Sequence, residues 1–238
     1  MSCILNIETS TSVCSVALSM DGEVLFAKAS FDGPSHAALL GVFVEEALSV
    51  LKKKGKKALD AVAVSSGPGS YTGLRIGVSV AKGLCFGFGI PLIGIHTLDI
   101  MAATVNSKGD SQIVSITDDC LYCAMLDARR MEVYAAIYDA SLKPVREKAD
   151  IVEVGTYASY LEKGKVCFFG NGASKCKSVI TSPNAIFIED IHPLAVNMIP
   201  LSEQAFATGK FEDTAYFEPF YLKEFQETVA KNKVLLAR

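Results

Sequence analysis

A glutamate followed by four hydroxyl residues, Glu8-Thr9-Ser10-Thr11-Ser12, stands directly after the apolar run that opens the chain. Hydroxyls and backbone N–H groups in such a loop can hold a phosphate. The preferred reading is plainer: a polar turn whose hydroxyls satisfy their own backbone. A second segment, Gly67-Pro68-Gly69-Ser70-Tyr71-Thr72-Gly73-Leu74-Arg75-Ile76-Gly77, lies between a strand-like run and a helix start, where free N–H groups attract anions. It matches neither the phosphate-loop spacing, since no Lys-Ser/Thr follows in place, nor the dinucleotide fingerprint. Nucleophile-and-base chemistry usually needs a histidine. The three here, His36, His96 and His192, are isolated, and none has a histidine or carboxylate four residues further along a helix face. His36 reads as an exposed helix-start residue and His192 as a loop residue before Pro193. Cys120-x-x-Cys123 has ligand-like spacing but lacks the second pair or two histidines that a zinc site needs.

The glycines of the second segment suggest another use. Gly73, Gly77, Ala81 and Cys85 recur every four residues, which leaves one stripe of the helix nearly bare. Each glycine costs about 1 kcal/mol of helix propensity, a cost usually offset by close approach of another element. The preceding helix carries Ala37-Ala38-Leu39-Leu40-Gly41-Val42-Phe43-Val44 with no polar residue through two turns. A helix apolar all round is buried on more than one side, and its own sheet covers only one. We therefore expect these two helices to meet another protein subunit, with Leu39, Leu40, Phe43, Gly73, Leu74, Gly77 and Ala81 as contact residues. Glu8, Thr9, Ser10, Gly67, Gly69 and Ser70 are the candidate ligand or nucleotide loops.

The elements that position these residues follow from periodicity. Strands are predicted over residues 3–7, 14–19 and 23–31, the last two joined by Asp21-Gly22, a hairpin signal. A helix over 36–54, capped by Ser35 and ended by Gly55, leads to a strand at 59–65, the Gly67–Ser70 turn and a helix over 72–88. A strand at 91–95 and a helix opening at Thr97 or Asp99 close the first unit. After a polar stretch at 106–111, strands are expected near 113–116, 123–126, 131–138 and 142–148. A helix (153–161), a strand (166–169), a helix (173–180), a strand (186–188) and a helix (194–208) complete it. The first unit's order recurs, so the fold class is α/β with two related lobes and mixed sheets. The lobes are expected at 1–105, joined by the C-terminal segment 210–238, and at 106–209. Whether residues 223–238 form a packed helix or a tail is open at this level.

Composition sets the limits. The 238 residues are 50% hydrophobic and 21% charged, which excludes disordered, collagen-like and coiled-coil chains. A net charge of −3 makes the chain as a whole a poor trap for polyanions. Lys52, Lys53, Lys54, Lys56 and Lys57 sit at a helix C-terminus, where they favour the helix dipole and read as a solvated face. Seven cysteines without regular spacing suit free thiols in a reducing, cytoplasmic setting. The N-terminus lacks a basic region before its apolar run, and no membrane span is expected.

Four stretches together resemble the TsaB (YeaZ) family. They are residues 4–12 followed by 14–18, Gly67–Gly77 with Ala81-Lys82-Gly83-Leu84, residues 90–98, and Asp127-Ala128-Arg129-Arg130-Met131-Glu132-Val133-Tyr134. Pro219-Phe220-Tyr221-Leu222-Lys223 is similar to the family's closing motif. The resemblance implies a two-lobed, actin-like, sugar-kinase-type ATPase (ribonuclease-H-like) fold. It also implies a non-catalytic role beside a TsaD-type catalytic sibling and a TsaE-type ATPase subunit. That assembly adds a threonylcarbamoyl group to N6 of the anticodon-loop adenosine in tRNAs reading ANN codons. The chain alone is expected to bind no cofactor, with ATP and magnesium used by the assembled complex. It is expected to form a homodimer when alone and to meet tRNA only indirectly or weakly. The sibling's His-x-x-x-His metal motif is broken here, because position 40 is Leu40; Thr11, Ser12 and Val13 stand where the sibling carries an acidic pair. Peptidase activity, once attached to the family name, is not expected. An ATP-dependent phospho- or acyl-transferase acting alone is the competing reading. Residues 127–132 read as an ionic turn in preference to a functional contact.

Overall fold

A computed structural model describes residues 2–33, 35–55, 58–108 and 120–222. Residues 3–8 are apolar enough to be buried on both faces and form the central strand of the first sheet. The elements of this lobe are β1 (Cys3–Glu8), β2 (Cys14–Met20), β3 (Glu23–Ser30), α1 (His36–Lys53), β4 (Ala61–Gly67), α2 (Tyr71–Phe88), β5 (Leu92–His96) and α3 (Thr97–Lys108). The β2–β3 turn places Asp21 (φ 48°) and Gly22 (φ 82°) in left-handed conformations, the geometry that the Asp-Gly pair predicted. The sheet order is β3-β2-β1-β4-β5, antiparallel on the hairpin side and parallel across β1, β4 and β5.

The second lobe repeats this plan. It comprises β6 (Cys120–Asp127), β7 (Glu132–Tyr138), β8 (Pro144–Ile151), α4 (Ala158–Leu161), β9 (Lys165–Phe169), α5 (Ala173–Cys176) and β10 (Ala185–Ile188). Its sheet order, β10-β9-β6-β7-β8, is the first sheet's order read from the other edge. Two copies of a hairpin followed by parallel strands form the actin-like arrangement. Three helices differ from expectation. The expected helix at 153–161 keeps one turn because Gly155 takes a left-handed φ of 87°. The one at 173–180 is α-helical only over Ala173–Cys176. The one at 194–208 begins as a 3-10 turn, Ala195–Met198, before α6 (Ile199–Ala207), whose Pro200 suits a helix start. The expected strand at 113–116 and the tail at 223–238 lie outside the described residues, as do Lys56 and Lys57.

The faces of β1 divide the first core. Cys3, Leu5 and Ile7 join Leu40, Phe43, Val78 and Ala81 beneath α1 and α2. Ile4 joins Ala61, Ala63, Ile93, Ile100, Met198 and Ile199 on the other face. The 3-10 turn and α6 thus cover the first sheet, although they follow the second lobe in sequence. Helix α3 links the cores, since its Leu98, Met101, Ala102 and Val105 pack with Tyr122, Ala124 and Phe169 of the second sheet. On the other face of that sheet, Tyr157 Oη donates to Asp150 Oδ2 (2.9 Å), a carboxylate that also takes both Arg146 terminal nitrogens. Tyr157→Phe is expected to lower the unfolding free energy by about 1.5 kcal/mol in urea titration.

Candidate functional site

Helix α2 and the β1–β2 loop are built into each other. Thr9 Oγ1 donates to Gly73 O (2.9 Å), and Ser70 N donates to Ser10 O (2.6 Å). A Cβ at Gly69 would strike Ser10 O, one at Gly73 would strike Thr9 O, and one at Gly77 would strike Thr9 Oγ1. The bare stripe is therefore filled from within the chain, which corrects the expectation that another subunit covers it. Helix α2 is N-capped by Ser70, whose Oγ accepts from Gly73 N (3.2 Å), and ends at Gly89 with φ 66°. Ser35, by contrast, makes no side-chain cap; its hydroxyl donates to Gly33 O instead.

Three of the loop's backbone donors are taken up within the chain. Ser10 N is held by Glu8 Oε1 (2.5 Å), Thr9 N by Ser65 Oγ (3.4 Å) and Val13 N by Thr11 Oγ1 (3.2 Å). Thr9, Ser10 and Thr11 are buried, and of their hydroxyls Thr11 Oγ1 bonds within the loop, Thr9 Oγ1 bonds Gly73 O and Ser10 Oγ has no protein partner. Gly67 is covered by the segment after α6: Phe220 N donates to Ser66 O (2.6 Å), and a Cβ at Gly67 would strike Phe220 O. This strap also pairs Glu212 with Leu92, and Lys82 Nζ holds it by donating to Ala215 O and Phe217 O (both 3.0 Å). Arg75 lies over the Tyr71 ring (4.0 Å to its centroid) and donates through Nε to Tyr221 Oη (3.1 Å). Sequence reasoning joins the segment from 210 onward to the first lobe, without signalling that it closes over this particular turn. Lys82→Met is expected to release it, read as faster proteolysis between residues 210 and 222 with the rest of the chain intact.

Glu8 is fully buried at the end of β1, with Oε2 lacking a protein partner. Burial pushes its carboxyl up from the usual 4.5 to about 7, against smaller lowering by hydrogen bonds from Ser10 and Ser65. His36 is also buried, which corrects the exposed reading. It falls on the inward face of α1 with Leu40, Phe43, Val44, Ala47 and Leu51, and its Nε2 has no partner. Cys120 and Cys123 point into different cores on opposite faces of β6, so their spacing brings no ligand pair together. Among the described residues no group of three or more His, Cys, Asp or Glu is placed to hold a metal. Residues 127–132 form a tight turn: Ala128 N donates to Glu132 O, Arg129 N to Asp127 Oδ1, and Lys175 Nζ reaches Asp127 Oδ1 (2.5 Å).

The expected contact residues divide from the exposed ones. Leu40, Phe43, Gly73, Leu74, Gly77 and Ala81 are buried by the chain's own lobe, and Leu39 is half-buried. The solvent side of the two helices instead presents Ala37, Ala38, Gly41 and Val42 on α1, and Ser79, Gly83, Phe86 and Gly87 on α2. Val42 is 48% and Phe86 89% exposed. Helical periodicity carries this distinction, because positions 37, 38, 41 and 42 lie opposite 36, 40, 43 and 47.

Comparison with known proteins agrees with the architecture. A family model described as "TsaD: tRNA N6-adenosine threonylcarbamoyltransferase" matches residues 32–208. The tRNA threonylcarbamoyladenosine biosynthesis protein TsaB of Escherichia coli is 32% identical over 92% of this chain and 94% of its own length. The chain belongs to the TsaB (YeaZ) family. The Bacillus subtilis TsaB is 28% identical over 74% of each chain. Among solved structures, YeaZ from Pseudomonas aeruginosa superposes with a TM-score of 0.75 at 26% identity, covering 93% of this chain and 100% of that one. No described helix is long and apolar enough to cross a membrane.

Proposed function

We propose that the chain is the non-catalytic subunit of an assembly that transfers a threonylcarbamoyl group to N6 of an anticodon-loop adenosine in tRNAs reading ANN codons. The names of its relatives place them in threonylcarbamoyladenosine synthesis. The observation that carries the subunit role is the apolar, small-residue outer face of α1 and α2, set on helices that the chain's own packing holds rigid. A TsaD-type sibling docks on that face, and a second copy of this chain occupies it when the sibling is absent. A TsaE-type ATPase completes the assembly, which uses ATP with magnesium, and tRNA is held mainly by the other subunits. In this reading the β1–β2 loop and the Gly67–Ser70 turn stiffen α2 and bind no nucleotide. Leu40, packed in the core where the sibling carries a metal ligand, and the enclosed Glu8 support a chain without its own chemistry.

Val42→Glu tests the face directly. Val42 is exposed, so the variant is expected to fold with an unchanged melting curve. A charge placed in a desolvated apolar contact should weaken pairing with the TsaD-type sibling by at least ~10-fold, measured by native mass spectrometry or calorimetry. Unaltered pairing would remove α1 from the interface.

A further inference from the structure

Three parts of the chain meet at one histidine. His96 ends β5, opposite Gly67 of β4 in the sheet register. The strap crosses the same strand. Glu212 N donates to Leu92 O (2.9 Å), a Cβ at Gly94 would meet Glu212 Oε1 and the Phe217 ring, and the Phe220 ring lies 5.3 Å from the His96 ring at 41°. From the second lobe, Glu147 of β8 brings Oε1 to 3.7 Å from His96 Nδ1. Glu147 pairs with Ala136, on the sheet face that also carries Tyr138. Tyr138 Oη donates to Asp99 Oδ1 (2.8 Å), so that face is held against the start of α3. The imidazole thus has a carboxylate of one lobe on one side and an aromatic ring of the strap on the other. Both contacts favour the protonated ring, the carboxylate by charge and the phenyl ring because a cation within about 6 Å of its centroid is attracted.

We propose that His96 is a pH-sensitive latch: its protonation draws the strap and the second lobe onto the end of β5, and its deprotonation loosens both. Contact with Glu147 lifts the imidazole pKa above its usual 6.5, against burial, which lowers it. Of the other charges acting on the ring, Asp99 on α3 raises the value and Lys210 after α6 lowers it. Freed from the junction, the ring reverts to its usual value, so the closed state binds the proton more tightly. The latch's contribution is therefore whole below pH 6.5 and is lost as pH rises through the higher value of the closed state. Both side chains are half-exposed, which limits the pair to about a threefold effect on opening. Lys82 and Arg75 keep the strap attached in either state through Ala215, Phe217 and Tyr221.

The test is amide hydrogen exchange of the full-length chain at pH 6.0 and pH 8.5, with each rate divided by its intrinsic value. It is read at the Glu212 and Phe220 amides, which donate to Leu92 O and Ser66 O. Glu147→Gln should exchange about threefold faster than the native chain at pH 6.0 and at the native rate at pH 8.5. Added to His96→Gln, the same substitution should change neither rate. Both side chains are half-exposed, so the variants are expected to fold. Comparing proteins at one pH cancels the ionisation of Glu8, which falls in the same range. Equal rates at pH 6.0, an excess of the same size at pH 8.5, or an excess that persists without the histidine would overturn the assignment.

Discussion

Gly77→Leu is expected to destabilise the first lobe by about 3 kcal/mol, read as a lower midpoint in urea unfolding. A Cβ at this position falls inside the contact radius of Thr9 Oγ1, and Thr9 cannot swing away without giving up its bond to Gly73 O. The loop below is buried and has no room to retreat. Gly77→Ala alone should show much of the loss. Thr9→Gly should restore part of it, giving a positive coupling in the double-mutant cycle. Independent, additive effects would mean that α2 and the loop are not in contact. Sequence reasoning alone favours the opposite outcome, an intact monomer with weakened partner binding. A glycine stripe looks the same whether its groove is filled by another chain or by residues sixty positions earlier.

Glu8→Gln is expected to reverse sign with pH. In the unfolded chain this carboxyl ionises near 4.5, whereas in the fold it keeps its proton up to about 7. Between those values the folded state binds more protons, so the group's contribution to stability falls as pH rises through the window and stays low above it. The total loss is about 3 kcal/mol. Near pH 5 the variant should be no more stable than the parent. Above pH 7.5 it should be the more stable by up to that amount, because glutamine keeps an acceptor for Ser10 N without burying a charge. Parallel stability curves for the two proteins between pH 5 and 8 would show that Glu8 ionises normally and is reached by solvent.

The lobes were legible because hydrophobic period and turn chemistry agree in them. Cys14–Met20, Asp21-Gly22 and Glu23–Ser30 announce a hairpin in three independent ways, and the helices flanking Ala61–Gly67 have long periodic faces. The short elements of the second lobe carried weaker signals: one left-handed glycine at 155 dissolves most of a helix that its apolar spacing suggested. The polar-turn reading of Glu8–Ser12 is met only in part: Thr11 Oγ1 and the Glu8 carboxylate accept from the loop's own N–H groups, whereas the Thr9 hydroxyl is spent on Gly73 O and Ser10 Oγ has no protein partner. What was hidden was long-range contact. Thr9 against Gly77, Phe220 over Gly67 and α6 returning to the first sheet each join residues far apart in the chain, and no local pattern records them. The same limit explains the contact residues. Sequence marked α1 and α2 as apolar on more than one side, and only the packing shows which side each residue takes.

The central claim is that this chain supports modification chemistry performed by another subunit, through the outer face of α1 and α2. The most direct measurement combines the TsaD-type sibling, the TsaE-type ATPase, threonylcarbamoyl-AMP, ATP, magnesium and unmodified tRNA, and quantifies the modified nucleoside by mass spectrometry. Three arms contain the native chain, the Val42→Glu variant and neither. Product is predicted only with the native chain, with strong loss for the variant, and none from the chain incubated with the substrates alone. Product that forms equally well without this chain, or that this chain forms without the sibling, would contradict the account.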